Sequence, residues 1–87
     1  MPANVDKTKP RSKLRILYLL KILYLETDET HGLTSTQLIA SLQNEGLSIE
    51  RKTFYDDITA LQDFGIDIRT TQRTHREYAL HDHNIWS

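Results

Sequence analysis

The stretch "RKTFYDDITAL", from Arg51 to Leu61, combines an apolar stripe with polar and basic side chains. Phe54, Ile58 and Leu61 recur at spacings of four and three residues, which places them on one face of a helix. A helix that only packs against a core needs this stripe alone. We therefore expect the opposite face to contact another molecule. The polar residues of that face are Arg51, Lys52, Tyr55, Thr59 and Gln62.

Two further helices are predicted upstream of this stretch. "RSKLRILYLLKILYLE", residues 11–26, is expected to form a helix that is buried over more than half of its girth. Pro10 suits the first turn of this helix, where a missing N–H costs nothing. The apolar stripe comprises Leu14, Leu17, Leu20, Leu23 and Tyr24, widened by Ile16, Leu19 and Ile22.

The second helix carries its start and stop signals in "LTSTQLIASLQNEGL", residues 33–47. Thr34 as N-cap and Gln37 three residues later make a capping box. Gly46 is placed to end the helix in a left-handed conformation, with Leu47 folding back over the last turn.

Beyond Gly65, which ends the third helix, the apolar period changes from helical spacing to alternation. Ile66, Ile68 and Thr70 alternate before the polar turn "QRTH", and Tyr78 and Leu80 alternate after it. This pattern predicts a β-hairpin that must pack on the helices, because a lone hairpin is marginally stable. Three helices followed by a hairpin predict an α+β, mostly α, winged helix-turn-helix over residues 11–82. Residues 1–10 are expected to be a flexible basic arm, and residues 83–87 a tail that begins a linker.

In a helix-turn-helix, the N-terminal residues of the recognition helix reach base edges in the major groove of double-stranded DNA. The third helix takes that role here, the first turn of the second helix can hold a phosphate through its free N–H groups, and the hairpin is the wing. The predicted DNA-binding residues are Thr34, Ser35, Thr36, Gln37, Arg51, Lys52, Thr53, Tyr55, Thr59, Arg73 and His75.

The charge pattern supports this prediction more than the net charge of −1 does. Six basic residues and one acidic residue lie between Met1 and Tyr24, whereas two basic and nine acidic residues lie between Leu25 and Asp67. The acidic stretch favours an alternative, a winged-helix protein–protein interaction module that does not bind DNA. Salt-dependent binding to generic duplex DNA separates the two, because counterion release is absent from ordinary protein partners.

Other function classes find little support. No apolar run is long enough to span a membrane, and no signal peptide or cysteine is present, so a cytoplasmic location is expected. We expect neither enzymatic activity nor a cofactor, because no phosphate-binding loop or nucleophile motif occurs. A zinc site using His75, His81 and His83 would lack a clear fourth ligand, so no metal site is expected. Asp57, on the apolar side of the third helix, is expected to form a structural ion pair or a cap.

The sequence resembles the N-terminal winged-helix domain of WYL-domain transcriptional regulators, which are related to the DeoR type. The resemblance covers residues 12–80 and is strongest in "SIERKTFYDDITALQDFGIDI". Departures occur at Glu50, where the family pattern often has serine, and at Asp56, where many members have arginine. The resemblance implies sequence-specific DNA binding and a C-terminal ligand-sensing domain that is absent from this chain. For the isolated domain we expect a monomer or a weak dimer. The residues that match the family pattern are Thr53, Tyr55, Asp57, Ile58, Leu61 and Gly65.

Overall fold

The computed structural model describes residues 12–72 and 75–82. The elements, in chain order, are α1 (Ser12–Glu26), β1 (Leu33–Thr34), α2 (Ser35–Asn44), α3 (Arg51–Phe64), β2 (Ile68–Gln72) and β3 (Arg76–Leu80). This order confirms the predicted winged helix-turn-helix. The predictions for the basic arm, Pro10, Arg73, His83 and the tail lie outside the described residues.

The wing is part of a three-stranded antiparallel sheet in the order β1-β3-β2. In the predicted hairpin Ile68 pairs with Leu80 and Thr70 with Tyr78, while Ile66 is buried but precedes β2. The strand β1 was not predicted, and it adds Leu33 opposite Tyr78. A strand of two residues is too short to show alternation, and its sequence reads as the entry to the next helix.

The predicted helix ends are confirmed by their hydrogen bonds. The Gln37 N–H donates to Thr34 Oγ1 at 3.2 Å, and the Thr34 N–H donates to Gln37 Oε1 at 2.9 Å, which completes the capping box. At the other end of α2, the Leu47 N–H donates to the Leu42 carbonyl at 2.9 Å. Gly65 ends α3 at a φ of 115°, a conformation that side chains with a Cβ rarely adopt. Local sequence therefore sets both ends of α2 and the C-terminal end of α3.

The core lies between the three helices and the sheet. Phe54 on α3 stands at its centre, with its ring edge-on to the ring of Tyr78 at a centroid distance of 5.4 Å. The fully buried side chains are Leu19, Leu23, Leu38, Leu42, Phe54 and Leu80. Thr27, just after α1, joins the helix to the sheet: its hydroxyl donates to the Leu23 carbonyl and accepts from the Leu80 N–H.

The prediction for α1 was wrong in part. Its buried side consists of Leu19, Ile22 and Leu23, whereas Leu14, Leu17 and Tyr24 are exposed. α1 packs on α2 and β3 from one side, so nothing in the described chain covers its outer face. No helix among the described residues is both long and apolar enough to cross a membrane.

Candidate nucleic-acid interface

A concave surface lies where the first turns of α2 and α3 meet the wing end of the sheet. Its cavity has a volume of about 590 Å³. None of the described residues that line it is acidic, whereas two are arginines. We call this surface the basic cavity; its lining residues are Thr34, Ser35, Thr36, Arg51, Tyr55, Gln72, His75, Arg76 and Tyr78.

Arg51 joins the N-terminal ends of the two helices of the helix-turn-helix. Its guanidinium donates to the hydroxyl of Ser35 and, from Nη2, to Thr36 Oγ1 at 3.3 Å. The side chain thus lies beside the first turns of α2 and α3, where backbone N–H groups are free and the helix dipoles are positive. Such a position suits an anion, so Arg51 is placed for a phosphate more directly than for a base edge.

Two tyrosines line the basic cavity. Tyr55, one turn after Arg51, is exposed and holds its ring edge-on to Phe54 at a centroid distance of 5.6 Å. Tyr78 is buried, and this burial raises the pKa of its phenol above the ordinary value of 10.0. Tyr78 is therefore neutral at physiological pH and keeps its O–H as a donor.

The wing contributes residues that the sequence prediction missed. Gln72 and Arg76 pair across the turn of the hairpin, and the Arg76 Nε donates to the Gln72 amide oxygen at 3.5 Å. Arg76 and Tyr78 are two residues apart on β3, so they share one face of the strand. This alternation was a usable signal for Arg76. The predicted residue His75 does line the cavity.

A second surface runs along the outside of α3, away from the basic cavity. Lys52, Asp56, Thr59 and Asp63 are exposed and follow each other at spacings of four, three and four residues. At about 100° per residue they lie within roughly 60° of one another, directly opposite the buried side of the helix. We call this line the outer ridge of α3.

The predicted site residues therefore divide between two surfaces. Lys52 and Thr59 belong to the outer ridge, while Gln37 uses its amide oxygen in the capping box. Thr53 is half-buried on the flank of α3 that faces away from the cavity. Gln62, which the sequence places on the polar face of α3, donates to the Ile68 carbonyl at 2.9 Å. The residues that the structure brings together in the basic cavity are Thr34, Ser35, Thr36, Arg51, Tyr55 and His75.

Metal binding finds no geometric support within residues 12–72 and 75–82. No group of three or more histidine, cysteine, aspartate or glutamate side chains there could hold a metal ion. The two surfaces offer arginine, lysine, hydroxyl and carboxylate groups for hydrogen bonding and charge pairing.

Comparison with known proteins gives one match. A family model described as "FokI, D3 domain" matches residues 13–73, a span that includes nearly all of α1 and continues through β2. No curated protein and no solved structure matches the chain. The matched span includes both helices of the helix-turn-helix and most of the basic cavity.

Proposed function

Because the FokI D3 model covers well over half of it, the chain belongs to that family of winged-helix-like DNA-binding domains, and we propose that it binds double-stranded DNA sequence-specifically for a transcriptional regulator. In this proposal α3 enters the major groove and the wing lies on the sugar-phosphate backbone. The regulatory role is supported by the resemblance to WYL-domain regulators, which is a separate family from the one matched.

The basic cavity is the observation that carries the proposal. A phosphodiester brings one negative charge and several acceptor oxygens, and the cavity offers donors from two arginines, five hydroxyl side chains and the first turn of α2. Charge-assisted hydrogen bonds of this kind are about twice as strong as neutral ones. No carboxylate lines the described part of the cavity to repel the phosphate.

The position of the cavity agrees with the docking of a helix-turn-helix. A phosphate held between Ser35 and Arg51 would fix the register of α3 against the duplex, since phosphate contacts position a protein without reading sequence. The first turn of α3 would then face the base edges, where Lys52 can donate to guanine O6 and N7. Arg76, next to the turn of the wing, would extend the contact along the same backbone.

A protein–protein interaction module remains the second candidate, because two features of the surface favour it. Asp56 and Asp63 are exposed on α3, where they would oppose phosphates. Phe64 at the end of α3 and Leu17 on α1 are also 78% and 62% exposed, as apolar contacts between proteins require.

Titration of a fluorescent generic duplex at several salt concentrations tests the proposal. If the protein binds DNA through phosphates, the logarithm of the association constant should fall linearly with the logarithm of the salt concentration. Arg76→Ala should make that slope shallower by about one unit. Arg69→Ala is the matched control, because Arg69 pairs with Asp67 at 3.0 Å and does not line the basic cavity. Absence of salt-dependent binding would favour the protein-interaction module.

The regulatory role needs a separate test. When a site selected from a random duplex pool is placed upstream of a reporter gene, reporter expression should depend on the presence of this protein. The proposal includes a cytoplasmic location, no enzymatic step and no cofactor. Reporter expression that does not depend on the selected site would refute the regulatory role, while the proposal of DNA binding would stand.

A further inference from the structure

The outer ridge is the part of α3 that is available to enter a groove, because the flank towards the sheet and the inner face make other contacts. On the flank towards the sheet, Arg51 is hydrogen-bonded to α2 and Gln62 is hydrogen-bonded to β2, while Tyr55 lines the basic cavity. Phe54, Asp57, Ile58 and Leu61 fill the inner face and are buried. A helix seated in the major groove by its outward side therefore presents the outer ridge to the base pairs.

Asp56 occupies the second turn of this ridge as an unpaired carboxylate. It is exposed, and it makes no hydrogen bond or ion pair with any residue in the described part of the chain. Lys52 lies one turn earlier on the same line, about 6 Å away along the helix axis. A carboxylate at this position meets the negative potential of the duplex, which weakens binding unless the carboxylate accepts a hydrogen bond.

The major groove offers only two kinds of donor to such an acceptor. These are the N4 amino group of cytosine and the N6 amino group of adenine. Adenine presents its N7 acceptor beside N6, so a group with acceptors alone is repelled there, whereas an amide can satisfy both positions. Cytosine has no acceptor of its own in the groove. Carboxylate chemistry therefore selects cytosine, and amide chemistry selects adenine.

We propose that Asp56 reads a cytosine in the bound sequence by accepting a hydrogen bond from its N4 amino group, with Lys52 donating to a nearby guanine. This inference rests on the proposed DNA binding and names the base class that the site selects. Asp56 is a specificity-determining residue in this scheme. It lowers the affinity for generic DNA, and only the hydrogen bond from a cytosine in register compensates for that loss.

Selection from a random duplex pool with three proteins tests the inference: the wild type, Asp56→Asn and Asp63→Asn. The wild type should fix a C·G pair at one position, and Asp56→Asn should change that position to A·T. On the wild-type site, Asp56→Asn should lose about 5- to 150-fold in its preference for C·G over A·T. Asp56 is exposed, so a thermal melt should show the variant folded as well as the wild type.

Asp63→Asn is the matched control, because it removes the same charge from the last turn of α3. Both variants should bind generic DNA somewhat more tightly, so the readout is the base preference and not the affinity. Asp63→Asn should keep the cytosine position. Unchanged preference in Asp56→Asn would overturn the inference while the proposed function stands. A wild type that binds DNA without base preference would overturn it equally, and a wild type that binds no DNA would overturn both.

Discussion

Arg15 on α1 and Asp57 on α3 form a two-bond ion pair at the edge of the core. The Arg15 Nε donates to Asp57 Oδ2 at 2.7 Å, and Nη2 donates to Oδ1 at 3.2 Å. The two side chains are only 16% and 10% exposed. The predicted structural ion pair of Asp57 is thereby confirmed, and it ties the first helix to the proposed recognition helix.

Removal of one partner from this pair should destabilise the fold strongly. Asp57→Ala leaves the Arg15 guanidinium largely buried without its counter-charge, so we expect a loss of about 2–4 kcal/mol in the free energy of unfolding. Urea denaturation of Asp57→Ala, Arg15→Met and the double variant measures this. The double variant should lose less than the sum of the singles, because it leaves no unpaired charge. Additive losses under about 0.5 kcal/mol each would show that the pair contributes little.

Arg51 and Lys52 are adjacent in sequence but should contribute differently to DNA binding. Lys52→Ala should weaken binding to the selected site by about 1–3 kcal/mol and relax the base preference at one position. Arg51→Ala should weaken binding about equally on all sequences and make the salt dependence of binding shallower by about one unit. The reason is that Arg51 lines the basic cavity, where a phosphate is proposed to bind. Affinity titrations on selected and scrambled duplexes separate the two effects. Unchanged affinity in the double variant would remove α3 from the interface.

Gly32 precedes β1 at a point where the backbone runs close to β3. A Cβ added there would lie 2.9 Å from the Cβ of Glu77 and 3.1 Å from the Tyr78 carbonyl oxygen. Gly32→Ala should therefore push β1 from the sheet and cost about 1–3 kcal/mol, as overpacking does. Thermal unfolding measures the loss. Gly65→Ala is the comparison, because its Cβ meets nothing within 4 Å and only the φ of 115° is unfavourable. A stability of Gly32→Ala equal to that of the wild type would show that β1 is dispensable.

Asp28 makes the turn between α1 and β1 sensitive to acid. Hydrogen bonds from the Thr30 backbone N–H, from the His31 side chain and from the Thr30 hydroxyl hold the pKa of the Asp28 carboxyl well below its ordinary value of 3.8. A depressed folded pKa adds stability that is present above the unfolded pKa and is lost as pH falls through the folded value. The difference in unfolding free energy between wild type and Asp28→Asn should be constant above about pH 5 and shrink below about pH 4. A difference that does not change down to pH 2 would contradict the assignment.

The outer face of α1 bears on the oligomeric state. Leu17 and Leu25 are 62% and 66% exposed, whereas a stable interface buries roughly 1,000 Å² or more. We therefore predict a monomer or a weak dimer at micromolar concentration, as sedimentation would measure. The Leu17→Gln/Leu25→Gln double variant should abolish any weak association and change the free energy of unfolding by less than about 0.5 kcal/mol per site. A tight micromolar dimer would contradict the prediction.

The sequence by itself determined the elements whose signals are local. The capping box of Thr34 and Gln37 and the terminating Gly65 act within a few residues, so spacing alone located the start of α2 and the end of α3. The alternation of Ile68, Tyr78 and Leu80 predicted the hairpin and its buried side for the same reason. Helix periodicity also separated the buried residues of α3 from its exposed ones, which placed Arg51 and Lys52 on the surface.

Only the tertiary structure decided which exposed residues act together. Arg51 meets Ser35 across 16 residues, and Arg15 meets Asp57 across 42, because helix packing brings them together and no local pattern encodes that distance. The same packing buries one side of α1 and leaves Leu17 outside, although its sequence is apolar almost all round. The basic cavity and the outer ridge of α3 are separate surfaces for this reason: side-chain contacts between elements, and not propensities within them, divide the polar residues between the two.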